Sequence, residues 1–482
     1  MLDFRPIALV IGTLLAMLAG LMLVPAALDL LVDGSDWRVF ALSAALTAFV
    51  GIGLILAARG PRMSFNQRQA FVLTTLSWIA VAAFGALPFH VAPLGLGYAG
   101  AYFEAMSGLT TTGSTVIVGL DRADPGILLW RSILHFVGGI GIIVLAVAVL
   151  PLLRVGGMQL FRLESSDKSE KVLPRATQIA AGIAIVYALL TLLCAAVFWV
   201  GGMSGFDAIN HAMATLATGG FSTYDASFGQ FDSAFLEAAC TIFMLCGGLT
   251  LTLFLRVYQG DHGAFWRDSQ LRTYLGVFAC FSLAIALWLV FAEGRTIGFA
   301  LRHATFTVAS VLTTTGFAST DWALWGPFPL VLIFLLTFVG GCSGSTSGGI
   351  KIFRFQVLFQ IGRSQMRQAL LPSGVFPARY NRKPITEAIA QSVLAFVALY
   401  AFSWALVAAA LALCGLDLVT ALTGAATALG NVGPGLGEII GPAGNFAPLP
   451  DSAKWILSLA MLLGRLELVA VLVLLSRALW RA

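Results

Sequence analysis

Long apolar runs set the frame of this chain. Residues 7–28, 39–58, 126–153, 178–201 and 384–414 are each nearly free of charge. A hydrocarbon core of about 30 Å takes about 20 helical residues, so each run is long enough to cross it. Extending the pattern predicts ten spans, near 7–30, 38–58, 68–88, 126–152, 176–201, 233–256, 270–292, 326–360, 385–414 and 452–478. The first run is too long for a signal peptide and lacks a small-residue cleavage site, so it reads as a retained span. The expected fold class is an all-α polytopic membrane protein of about ten transmembrane helices.

The polar positions break this pattern in a recurring way. After spans three, five, seven and nine comes a half-apolar segment too short to cross, ending in a phrase of small residues. The phrases are Ser107-Gly-Leu-Thr-Thr-Thr-Gly113, Met213-Ala-Thr-Leu-Ala-Thr-Gly219, Ser310-Val-Leu-Thr-Thr-Thr-Gly316 and Thr427-Ala-Leu-Gly-Asn-Val-Gly433. Their last glycines are 106, 97 and 117 residues apart, an internal repeat. The unit is span, re-entrant half-helix, glycine phrase, span. Four copies use eight spans and leave an N-terminal hairpin. The expected divisions are 1–62 for the hairpin, then pore repeats at 63–158, 159–258, 259–372 and 373–482.

Non-helical backbone at membrane depth is tolerated only where protein or water satisfies it. Four re-entrant segments can converge on one axis, where carbonyl oxygens replace the hydration shell of a cation. Glycine supplies unusual backbone angles, and threonine adds a hydroxyl oxygen. A single such phrase reads better as a small-residue packing patch. Four copies at equivalent places favour a pore. The candidate cation ligands are Thr111, Thr112 and Gly113; Ala217, Thr218 and Gly219; Thr314, Thr315 and Gly316; and Asn431, Val432 and Gly433.

The eighth span carries a second anomaly. Between Phe338 and Ile350 lie Gly340, Gly341, Cys342, Ser343, Gly344, Ser345, Thr346, Ser347, Gly348 and Gly349. Glycine costs about 1 kcal/mol in a helix interior, and Ser and Thr offer competing hydrogen bonds. This stretch is expected to unwind and form a mobile loop under the pore, or a plain linker between half-spans. Arg465 lies inside the tenth span. An arginine at that depth costs at least about 2.5–3.5 kcal/mol, so it should face the interior with a partner. It is expected below the filter against the 340–349 loop as a positive barrier, or else in a structural ion pair. Glu467 is expected to point elsewhere on the same helix.

Composition changes little in this picture. Apolar residues make up 59% of the chain, charged residues 11%, and mean hydropathy is +0.91. A soluble domain carries about 25% charged residues. The six cysteines are scattered without a CxxC, which argues against a disulfide framework or a zinc site. Charge instead fixes orientation. Arginines and lysines at 5, 59, 62, 68, 154, 162, 168, 171, 175, 256, 267, 272, 351, 354, 363, 367, 379, 382, 383, 477 and 481 fall on one side, 21 in all. Only six, at 38, 122, 131, 295, 302 and 454, fall on the other. The positive-inside rule puts both termini in the cytoplasm. The net charge of +5 is thus a topology signal and gives no reason to expect a nucleic-acid partner.

The phrases Thr111-Thr-Gly-Ser114, Ala217-Thr-Gly-Gly-Phe-Ser222, Thr314-Thr-Gly-Phe-Ala318 and Asn431-Val-Gly-Pro-Gly435, on this repeat, resemble the filter segments of the Trk/Ktr/HKT superfamily of potassium transporters, most closely its bacterial TrkH branch. The resemblance spans essentially the whole chain, including the N-terminal hairpin. It implies filter glycines at Gly113, Gly219, Gly316 and Gly433. Serine at the first of these goes with sodium in plant relatives, so glycine at all four implies potassium. It further implies that 340–349 is the gating loop of the third repeat, approached by a basic residue at Arg465. It implies a homodimer in the cytoplasmic (inner) membrane, in contact with lipid and with a cytosolic TrkA-type nucleotide-binding subunit.

The expected function is K⁺ uptake through a central pore. Each charge gains about 2.3 kcal/mol per 100 mV of membrane potential, which suffices for accumulation. The basic inner segment 351–383 is the expected docking surface for a regulator. A coupled K⁺/H⁺ or K⁺/Na⁺ symporter is one alternative, and it needs a titratable group in the path. An intramembrane serine protease is another, because Gly341-Cys-Ser-Gly344 matches a GxSG phrase; it would need His135 as base. His135 reads as lying well away from the pore segments. His211 and His303 read as ring-packing residues, Glu104 and Asp207 first as helix N-caps and second as carboxylates that attract cations, and Glu164–Lys171 as a solvated inner connection.

Overall fold

The computed structural model describes residues 3–32, 34, 36–60, 66–144, 172–381 and 383–480. The inner connection holding Glu164–Lys171 and the division at 158 lie outside the described residues, as does that at 62. Seven unbroken helices among the described residues are long and apolar enough to cross a membrane: Arg5–Leu31, Trp37–Ala57, Arg68–Val91, Pro125–Ile142, Gln178–Val200, Ser269–Phe291 and Glu387–Leu413. The fold is a nearly all-helical, multi-pass membrane fold.

The other three spans are broken. The sixth runs as Ala234–Gly247 and Leu251–Tyr258, bent by 91°, and the tenth as Asp451–Arg465 and Val469–Leu475, bent by 109°. The eighth stops at Thr337 and restarts at Ile352. Unwinding of the eighth follows from its composition. The bends in the sixth and tenth depart from the continuous helices expected. Helix ends leave carbonyls without intrahelical partners, and here another segment supplies them. Cys342 N–H donates to Gly248 O at 2.8 Å, and Thr346 N–H to Gly247 O at 3.4 Å. The tenth span ends with Glu467 and Leu468 both left-handed, at φ 56° and 53°. Glu467 therefore leaves the helix instead of continuing it, and its carboxylate pairs with Arg354.

Four short helices follow the third, fifth, seventh and ninth spans: Tyr98–Leu109, Gly205–Leu216, Ile297–Leu312 and Leu418–Gly430. Three start on a side-chain cap from Ser204, Thr296 or Asp417. All four are buried along most of their length, unlike the lipid-facing spans. The N-terminal hairpin packs at Gly12 and Gly51, where a Cβ on either would lie within 3 Å of the other's carbonyl oxygen. It is tied to the rest by Asp29, whose Oδ1 accepts from Gly126 N–H at 2.7 Å at the start of the fourth span.

Candidate functional site

Each short helix ends the same way. Thr111, Thr218, Thr314 and Asn431 take φ of 51°, 53°, 59° and 53°. The next residue, at Thr112, Gly219, Thr315 or Val432, donates its N–H five residues back, to Ser107, Ala214, Ser310 or Thr427, at 2.8–3.0 Å. This is a Schellman cap with a non-glycine residue in the left-handed position. That conformation costs roughly 1–2 kcal/mol for an L-residue, a strain that turns the chain sharply at four equivalent points. The residue after that is a left-handed glycine: Gly113, Gly220, Gly316 and Gly433, at φ 85°, 78°, 83° and 106°.

These caps correct the register of the second segment. Its left-handed glycine is Gly220, whereas Gly219 sits where the other segments have Thr112, Thr315 and Val432. Ala217 correspondingly matches Thr110, not Thr111. Two adjacent glycines concealed the shift in the sequence. The constant landmark is a leucine four residues earlier, at Leu109, Leu216, Leu312 and Leu429.

The four segments close into a ring. A Cβ added to Gly113 would lie 2.1 Å from Gly219 O, one on Gly220 1.9 Å from Thr315 O, one on Gly316 2.0 Å from Val432 O, and one on Gly433 2.8 Å from Thr112 O. Segment one thus meets two, two meets three, three meets four, and four meets one. Only glycine permits that approach. Ser114 Oγ donates to Gly433 O at 2.8 Å and Asn431 Nδ2 to Thr112 Oγ1 at 3.0 Å, stitching the last segment to the first. All four left-handed glycines line one cavity of about 260 Å³ on the side carrying the re-entrant segments.

On the opposite side the ring is covered by the 340–349 loop. Thr346 Oγ1 donates to Leu216 O at 3.0 Å and accepts from Thr218 Oγ1 at 3.2 Å. Gly348 N–H donates to Thr314 Oγ1 at 2.7 Å. The loop is closed at its neck by Gly340 N–H to Ile350 O and Ile350 N–H to Phe338 O, at 2.9 and 3.0 Å. Gly341 packs on Gly248 O, Ser345 and Ser347 bond each other, and Ser343 is held through Gln270 and Thr250. Gly344 and Gly349 take φ of 77° and 63°. Lys351 donates to Ser347 O. Arg465, 2% exposed, donates to Thr346 O at 2.6 Å and to Gly138 O at 3.3 Å. The remaining space beside Lys351 and Arg465 is about 20 Å³, room for about one water.

Several side chains lie elsewhere than expected. His135 is not remote from the pore segments: Nδ1 donates to Gly108 O at 2.7 Å, and Nε2 accepts from Phe221 N–H at 3.1 Å. Both ring nitrogens are used by backbone, so it is no base for Ser343. Glu104 lies mid-helix, not at an N-cap, and pairs with Arg131 at 2.8 Å. Asp207 is in the first turn, but Ser204 is the cap; Asp207 Oδ1 accepts from Thr223 Oγ1 at 2.7 Å. His211 makes edge contacts with Phe228 and Phe231, and its Nε2 meets Ser222 Oγ at 2.9 Å. His303 packs on Phe299 and bonds Ser319. The backing roles of Glu104, Arg131 and His135 escaped the sequence reading. The signal was present in Arg131 and His135, ionisable residues one helical turn apart in an apolar span.

Known proteins resemble this chain along its length. A family model described as "TrkH: Cation transport protein" covers residues 37–481. The Trk system potassium uptake protein TrkI of Halomonas elongata is 47% identical over 480 residues, 99% of this chain and 97% of that protein. TrkH of Escherichia coli K12 is 37% identical over the whole of both chains. The crystal structure of the potassium transporter TrkH from Vibrio parahaemolyticus superposes with a TM-score of 0.92 at 34% identity, again over both whole chains. The chain belongs to the TrkH family of cation transport proteins.

Proposed function

We propose that the protein is a potassium-uptake pore of the cytoplasmic membrane, with both termini inside. The observation that carries this reading is the closed ring of four segments, each presenting a carbonyl to its neighbour's left-handed glycine. Such a ring supplies the oxygen ligands that a dehydrating K⁺ requires. Thr111, Thr112 and Gly113, Thr218, Gly219 and Gly220, Thr314–Gly316 and Asn431–Gly433 form the filter. The 340–349 loop with Arg465 is the gate, since loop bonds to Thr218 and Thr314 cover the ring and a fixed positive charge stands beside them. The similarity to Trk system proteins supports K⁺ as cargo.

Opening the gate requires something that pulls the loop from Thr218 and Thr314. The chain leads directly from the loop through Lys351 into the basic helix Ile352–Leu370. A cytosolic TrkA-type nucleotide-binding subunit docking on 351–383 of a homodimer would act through that helix. Expression in a bacterial strain lacking its own K⁺ uptake tests the reading. Growth at low external K⁺ supports it; no growth despite membrane-inserted protein, with a TrkA-type subunit supplied, counts against it. A pull-down that recovers no such subunit, together with full activity of the purified pore, removes the regulatory part.

A further inference from the structure

The ring is backed unevenly, and this bears on how cations enter it. The position five residues before the landmark leucine is Glu104 in the first short helix, His211 in the second, Thr307 in the third and Gly424 in the fourth. Glu104 is fully buried and holds the descending first segment through Thr115 Oγ1 at 3.0 Å and Val116 N–H at 2.9 Å. Its other partner is Arg131, 1% exposed. Arg131 Nη1 donates to Ser222 O at 2.7 Å, and its guanidinium lies 4.0 Å over the Phe221 ring. One ion pair therefore spans the first segment and the second. The glycines packed on the landmark leucines are Gly138, Gly247 and Gly464. Seven residues before them stand Arg131, Cys240 and Leu457, so the second and fourth repeats put uncharged residues at the arginine's position.

Arg131 also lines the cavity formed by the four left-handed glycines. The other charged residue lining it is Asp225, which is occupied by the N–H groups of Gly119 and Leu120. A lone guanidinium there would repel the cations the cavity collects. At an effective dielectric near 20, a unit charge within about 10 Å of an ion shifts its occupancy roughly tenfold.

Resting on the pore reading above, we propose that Glu104 is a positioning residue whose charge cancels that of Arg131 at the mouth of the filter. Neutralising Glu104 alone leaves an uncompensated cation facing the entry path. Neutralising both restores the balance although it removes more hydrogen bonds.

The test is K⁺ uptake into proteoliposomes containing the full-length chain and a TrkA-type subunit with nucleotide. Wild type, E104Q and the double variant E104Q/R131M are compared. E104Q should raise the half-saturating K⁺ concentration about tenfold or more, an effect that shrinks when impermeant salt is added. The double variant should return it to within about threefold of wild type. A double variant as impaired as E104Q, or worse, overturns the proposal, because loss of bonds alone predicts that order. If E104Q does not accumulate in the membrane, the double variant decides by itself. Near-normal half-saturation upholds charge balance, and a half-saturating concentration raised about tenfold or more overturns it. Wild type assayed in parallel reports on the pore reading separately, because a failed pore shows no uptake in any of the three.

Discussion

Replacing Gly113 by serine perturbs the ring at a point where two costs can be separated. Gly113 and Gly119 have nearly the same left-handed backbone, φ 85° and 77°. Either substitution therefore costs about 1–2 kcal/mol of backbone strain. Their surroundings differ completely. At Gly119 nothing lies within 4 Å of an added Cβ, whereas at Gly113 it would lie 2.1 Å from Gly219 O. Real Cβ contacts essentially never fall under 3.0 Å, so that carbonyl must retreat by about 0.9 Å, the difference between 3.0 and 2.1 Å. It belongs to the ring proposed to replace water around K⁺. A displaced ligand changes the K⁺ preference by at least about 1.4 kcal/mol, or tenfold. Competitive uptake of K⁺ and Na⁺ in membrane vesicles measures this. Gly113→Ser should lower the K⁺/Na⁺ ratio at least tenfold, and Gly119→Ser should leave it within about twofold at similar protein levels. Equal ratios for Gly113→Ser and wild type, or equal losses in both variants, would show that the Gly219 carbonyl does not set the preference.

Other positions give equally direct outcomes. Gly138→Ala places a Cβ 1.9 Å from Leu109 O; thermal unfolding in detergent should fall by an amount corresponding to about 2 kcal/mol or more, and an unchanged midpoint would show that the fourth span shifts freely. Arg465→Ala removes the bonds to Thr346 O and Gly138 O, so K⁺ uptake without the regulatory subunit should rise, and unchanged uptake with unchanged regulation would remove the barrier role. His135→Leu leaves Phe221 N–H without its partner, at about 1–3 kcal/mol, while Gly108 O keeps the N–H of Thr111 at 3.1 Å; it should lower both the unfolding midpoint and K⁺ selectivity, while no proteolytic activity is expected of wild type.

The parts that were legible in the sequence are those set by a local rule. Apolar runs gave the unbroken spans, because a lipid-facing helix needs only length and hydropathy. The eighth span's break was legible because ten Gly, Ser, Thr and Cys residues cannot hold a helix there. The bends at Gly248 and Leu468 were not. The residues beyond them continue as an apolar run would, Val469–Leu475 without a polar side chain and Leu249–Leu255 with only Thr250 and Thr252. Those helices stop because the 340–349 loop takes the carbonyls of Gly247 and Gly248 and because Arg354 draws Glu467 aside. Both causes are contacts made by distant parts of the chain. The ring was legible as four glycine phrases, but its register in the second repeat was not, since Gly219 and Gly220 are chemically identical and only the backbone angle distinguishes them.

Glu104 shows the same limit from another side. A glutamate near the start of a short helix suggests a cap, and capping is a local interaction. Its actual partners, Arg131, Thr115 and Val116, lie 27, 11 and 12 residues away. They meet only once the first segment has folded back against the fourth span. Asn431 is similar: its left-handed backbone suits asparagine, whereas its bond to Thr112 Oγ1 joins residues 319 apart in the chain and closes the ring.

The four-segment ring is proposed to pass K⁺ in preference to Na⁺. It is tested most directly by reconstituting the purified chain in liposomes with a TrkA-type subunit and nucleotide and measuring K⁺, Rb⁺ and Na⁺ flux under an imposed membrane potential. Inward K⁺ and Rb⁺ flux well above Na⁺ flux is expected. Equal flux of all three ions, or none with the partner and nucleotide present, would contradict it.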